Sequence, residues 1–140
     1  MSIVHQIEID APTEVVFALY EDVEAWPTWD SETTEVKLPG LKRDAQGWLK
    51  PRNGPKASIR VVDVIADRSF TIEGKLPFCR MQFGHELQAN ATRTTATHWV
   101  RFVGPLAFVF RRLIGTGIDR TLPHTLEGLK RASEARVRQK

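Results

Sequence analysis

Three histidines carry most of the chemistry open to this chain. His5, His85 and His98 fall at positions of alternating segments that read as the inward faces of strands. Imidazole titrates near neutral pH, relays protons and ligates metals. In an apolar pocket it can polarise a carbonyl or move a proton, as enolisation and dehydration require, and His85 and His98 are the catalytic candidates. Three imidazoles would suffice for a metal in principle, but no tight ligand spacing supports one, so neither a metal nor a cofactor is expected. The plainer alternative is that the histidines are satisfied core groups, His85 and His98 bonding each other or a water. His124 belongs to the flank of a terminal helix.

Aromatic residues are the second source of function, because pockets for apolar ligands are typically aromatic with a few placed polar groups. Trp26 and Trp29 flank Pro27, and Trp48, Phe70, Phe78, Phe83, Phe102 and Phe110 are further candidates; for any single ring the plainer reading is that it fills a core. The expected ligand-binding set joins His5, His85 and His98 to Trp26, Trp29, Trp48, Phe70 and Phe83. Val100, Phe102, Phe110, Leu113 and Gly117 complete it. Asp30, Glu32 and Glu35 read as a solvated cluster, and an inward Arg60 could meet a ligand carboxylate. Cys79 has no His or Lys beside it to lower its pKa, so no nucleophile is assigned. Gly115 and Gly117 make no phosphate loop, and no hydrolase elbow or nucleotide fingerprint occurs.

These residues must be held by elements the pattern also defines. Ser2 to Asp10 alternates as a strand with Ile3, His5, Ile7 and Ile9 inward. Pro12 opens a helix whose apolar stripe is Val15, Val16, Leu19 and Tyr20. Val23 to Trp29 reads as a second short helix or turn, broken at Pro27. Thr33–Leu38, Gly47–Lys50, Ile59–Ile65 and Phe70–Glu73 read as strands, with Asn53-Gly54 and Asp67-Arg68 as turns. The clearest pair is Arg80–Gln88 with Thr94–Val103. A turn at Ala91-Thr92 sets Leu87 opposite Ala96, His85 opposite His98, Phe83 opposite Val100 and Met81 opposite Phe102, all on one face. From Gly104-Pro105 a long amphipathic helix follows, with a bend or break expected between Gly115 and Pro123.

Bulk properties narrow the class. The 140 residues favour a single domain spanning 1–140, with 41% hydrophobic and 26% charged residues. No run is apolar and long enough to span a bilayer, and no signal peptide is visible. One cysteine fits a reducing cytoplasm. The net charge of +3 owes much to Lys130, Arg131, Arg136, Arg138 and Lys140, which suit a helix C-terminus. Neither a basic stripe with interleaved aromatics nor a known module supports nucleic-acid binding.

The opening Ile7-Glu8-Ile9-Asp10-Ala11-Pro12-Thr13-Glu14-Val15-Val16-Phe17, then Trp26-Pro27-Thr28-Trp29, resembles the polyketide cyclase/dehydrase branch of the START-like, or SRPBCC, superfamily. The segment Leu122 to Ala132 is similar to that family's terminal helix. The resemblance implies an α+β helix-grip fold: a curved antiparallel sheet of about six or seven strands around a long C-terminal helix, with two short helices after the first strand. It also implies a pocket between sheet and helix. The expected function is binding of a lipid-like, polyketide-like or other amphipathic molecule, by a monomer or homodimer without membrane insertion. The alternatives are a cyclase/dehydrase-type enzyme using pocket histidines for proton transfer, and a protein-interaction or co-chaperone-like module. Because such folds host many chemistries, the fold does not choose among them.

Overall fold

The computed structural model describes residues 2–139; Lys140, counted above with the basic end, lies outside them. Seven strands form one antiparallel sheet in the order β1-β7-β6-β5-β4-β3-β2. They are β1 (Ile3–Ile9), β2 (Thr33–Lys37), β3 (Gln46–Pro51), β4 (Ala57–Ile65), β5 (Ser69–Leu76), β6 (Cys79–Asn90) and β7 (Arg93–Val103). Helix α1 (Thr13–Glu21) and a 3-10 helix (Val23–Thr28) follow β1, and α2 (Ala107–Arg138) closes the chain. Register shifts in β2 and β4, between Thr33 and Glu35 and between Val61 and Asp63, are the kind of irregularity that bends a sheet. This is the helix-grip arrangement.

The β6–β7 register is the expected one, Leu87↔Ala96, His85↔His98, Phe83↔Val100 and Met81↔Phe102. Strand β1 pairs with β7 so that His5 lies opposite His98. Alternation fixes this, since a slip of one residue would turn every apolar side chain outward.

Of the expected bend or break in α2, the break does not occur: the helix continues through Gly115, Gly117 and Pro123. Proline in a helix interior costs about 3 kcal/mol. Burial of Leu122, Leu126 and Leu129 on either side of Pro123 offsets that cost. The close approach falls instead at Gly128, where a Cβ would stand 1.8 Å from the carbonyl oxygen of Trp29. The absent side chain lets the helix lie directly on the Trp26–Trp29 segment.

Most of the core lies at the α1 end. Ile9, Val16, Phe17, Tyr20, Phe70, Leu126 and Leu129 are almost wholly buried there. A smaller cluster, Cys79, Val100, Phe102 and Leu122, sits toward the start of α2.

Candidate functional site

The inner face of the sheet carries a row of imidazoles, with His5, His98 and His85 on three neighbouring strands, but the row divides. His5 turns toward the helix, its Nε2 2.7 Å from Asp119 Oδ1, and ties the edge strand to α2. His85 and His98 meet edge to face at 4.6 Å between ring centroids. Among the described residues no group of three or more His, Cys, Asp or Glu is placed to hold a metal ion.

Around the pair stands an aromatic box. Phe70, across from His85 on β5, stacks on it with centroids 3.9 Å apart and planes within 3°. Tyr20 descends from α1 and packs on Phe70 at 4.8 Å, His85 at 5.6 Å and His98 at 5.9 Å. Its hydroxyl lies 2.7 Å from His98 Nε2. Trp26 packs on Phe70 at 5.9 Å and donates its indole N–H to the Tyr20 carbonyl. Trp29 leans on Tyr20 at 6.1 Å, and its buried Nε1 has no hydrogen-bond partner among the described residues.

Burial decides the protonation states. It drives the His98 imidazole well below the ordinary histidine range, with the neighbouring His85 adding to the effect. Burial likewise pushes His85 down to about 4, against a smaller upward pull from its bond to Phe70. The same desolvation holds the Tyr20 phenol well above its usual range. All three groups are therefore neutral at pH 7. His85 Nδ1 lies 3.3 Å from the Phe70 carbonyl oxygen, which can only accept. The neutral ring must then carry its proton on Nδ1, leaving Nε2 as a lone-pair acceptor with no partner among the described residues.

Next to this box the inner face is less completely buried. Met81 and Phe83 are only partly buried on β6, a strand in the interior of the sheet, whereas Val100 and Phe102 on β7 are buried. Ile3, Phe110 and Ile118 are half-buried and pack with Met81 and Phe83 against the smaller core cluster.

Several expected site residues lie elsewhere. Trp48 pairs with Ser58 on the outer face, where Lys56 Nζ sits 3.9 Å over its ring; the position of Gly47 inward with Ile59 puts Trp48 outward. Leu113 is 71% exposed, on the side of α2 away from the sheet, and Gly117 is exposed in open space. Phe78 is 76% exposed at the β5–β6 turn. Arg60 is turned outward to Asp44 at 3.1 Å and Glu73 at 3.5 Å. Asp30, expected in solvent, is buried; it accepts from Thr33 Oγ1 and Thr125 Oγ1, both at 2.8 Å, and so pins α2. Tyr20 is the residue the sequence reading passed over as one more stripe position. Its hydroxyl, on the chain's one tyrosine, was the available signal.

Comparison with known proteins agrees with this architecture. The family described as polyketide cyclase / dehydrase and lipid transport matches residues 1–134. The chain is similar in structure to the Zhui aromatase/cyclase from Streptomyces sp. R1128, at TM-score 0.78 and 16% identity, covering 98% of this chain and 95% of that one. It is also similar to a protein from Mesorhizobium loti, at TM-score 0.75 and 15% identity over 94% and 96% of the two chains. The di-domain aromatase/cyclase BexL of the BE-7585A biosynthetic pathway matches at TM-score 0.71 and 19% identity, over 96% of this chain and 46% of that one. Likeness at such identities shows the fold. No curated protein sequence matches at a significant level.

Proposed function

Because the chain belongs to the polyketide cyclase / dehydrase and lipid transport family, we propose that it binds a small hydrophobic or amphipathic molecule between β6 and α2. One observation carries this reading: the inner face of β6 is only partly buried at Met81 and Phe83, where a filled core would bury it fully. The donor Trp29 Nε1, without a partner among the described residues, belongs to a ring that packs on Tyr20 and offers a ligand a polar anchor. An unsatisfied buried donor costs roughly 1–3 kcal/mol, which a ligand's oxygen would relieve. A cytoplasmic setting, where Cys79 stays a thiol, belongs to the same proposal.

The test is titration with the neutral dye Nile red, alongside native and denatured masses of freshly purified protein. The reading expects saturable dye binding that falls at least about tenfold in Phe83→Arg, since an unpaired guanidinium would have to enter the apolar opening. Leu113→Ser, on the outer side of the helix, should leave it unchanged. A bare native mass together with non-saturable dye uptake would sink the proposal.

A second reading, proton-transfer catalysis, is favoured by the Tyr20–His98 contact of 2.7 Å. It expects His85→Ala and His98→Ala to abolish turnover of a cyclisable ketone while ligand still binds. If both variants only weaken binding, the protein is a carrier.

A further inference from the structure

We propose that the end of the sheet where α2 begins docks on an anionic membrane surface. The antiparallel order brings three connections to this end: the β3–β4 turn, the β5–β6 turn and the β7–α2 junction. Segments 51–56, 75–80 and 103–112 together hold six Lys or Arg residues and no Asp or Glu. Arg52, Lys56, Lys75, Arg80 and Arg112 are exposed. The connection before β2 also reaches this edge of the sheet but packs under the C-terminal half of α2, where Asp30 is buried and bonded to Thr33 and Thr125; its Glu32 adds one partly exposed carboxylate near Arg52, whose N–H donates to the Glu32 carbonyl. At the opposite end the connections carry both signs, with Asp10, Asp44 and Asp67 among Lys42, Arg43 and Arg68.

Apolar side chains project from the same end. Phe78 is 76% exposed, Phe108 64% and Val103 43%. Phe78 occupies the tip of a two-residue turn at φ 53°, a left-handed conformation unfavourable for a bulky residue. A large aromatic side chain is thus held in water at a position that polar residues fill more easily, an arrangement typical of functional sites. Between that turn and Gly104-Pro105 lies an open cleft of about 410 Å³, lined by Lys75, Leu76, Phe78, Arg80 and Val103 among others.

Separate aromatic tips ringed by cations suit a soft, negatively charged interface into which each tip can sink. A rigid protein partner would instead favour one continuous apolar face. A Lys or Arg near an anionic bilayer contributes about 1 kcal/mol, or roughly fivefold in affinity. No helix among the described residues is long and apolar enough to cross a membrane, so the contact is peripheral. The inference stands apart from the ligand proposal, since it rests on the outside of the molecule.

The experiment is co-sedimentation with vesicles of phosphatidylcholine, alone or mixed with phosphatidylserine, at low and high salt. We expect binding to the mixed vesicles at low salt, release at high salt, and at least about tenfold weaker binding to the neutral vesicles. The double variant Lys75→Glu/Arg80→Glu should lose at least about tenfold. Phe78→Asn/Phe108→Ser should lose several-fold with an unchanged Tm, while Lys42→Glu/Arg43→Glu, at the opposite end, should match the parent. Equal binding to both vesicle types overturns the proposal. So does binding that survives the phenylalanine changes and is matched by heparin, which would be plain polyanion attraction. Retention on poly-glutamate without vesicle binding would reassign the face to an acidic protein and equally overturn it.

Discussion

The two ends of the helix grip are built by opposite rules. At the α1 end, aromatic rings close on one another until Tyr20, Phe70 and His98 have almost no exposure. At the α2 start, large apolar side chains such as Phe78 and Phe108 stand in water. Both ends use the same residue types, so composition does not separate them. The difference lies in what each end must anchor. Gly128 lets α2 touch the Trp29 backbone, and Asp30 ties Thr125, so the C-terminal half of the helix is clamped to the first third of the chain. Beneath the first turns of α2 the sheet is only partly buried at Met81 and Phe83. Stability is concentrated at one end and accessibility at the other.

That contrast can be broken by mutation. Phe70→Ala, which empties the centre of the closed box, should cost about 3–5 kcal/mol by denaturant unfolding. A loss below about 1 kcal/mol would mean that the box is not the stabilising end.

Acid should act on the closed end next. His85 and His98 hold folded pKa values below the unfolded value of 6.5. The unfolded chain therefore takes up protons first, and stability is complete above pH 6.5. It should decline as pH falls from 6.5 toward about 4, the His85 value, by about 3 kcal/mol for that group at about 1.4 kcal/mol per unit. His85→Phe should flatten this slope, and an unaltered pH profile would contradict the assigned burial.

The smallest effect sharpens the comparison. Tyr20→Phe removes one hydroxyl and leaves a buried His98 nitrogen unpaired, which should cost about 1–3 kcal/mol, while Phe108→Ser should stay within about 0.5 kcal/mol. Equal losses in the two variants would mean that the first turn of α2 is as tightly held as the box.

Much of this architecture was legible beforehand, and for definite reasons. The period-two alternation of Met81–Leu87 and Ala96–Phe102 has one register that buries the apolar side chains, so the His85–His98 pairing followed from pattern alone. The facing of Trp48 and Arg60 did not follow, because their strands are short or apolar on both sides and alternation gives no sign. Helix continuity through Pro123 also escaped, since local propensity counts the lost hydrogen bond and not the leucines packed around it.

What the sequence determined by itself is therefore the set of strands, the register of the central pair, the amphipathic terminal helix and the inward placement of three histidines. Each is a matter of nearest-neighbour geometry along the chain. Only the tertiary structure decided that His5 turns to Asp119, that Tyr20 reaches His98 from a helix 78 residues earlier, and that three distant turns collect cations and exposed phenylalanines at one end. Those contacts join segments whose separation in sequence carries no local signal, and they depend on how the sheet curves and where α2 is clamped.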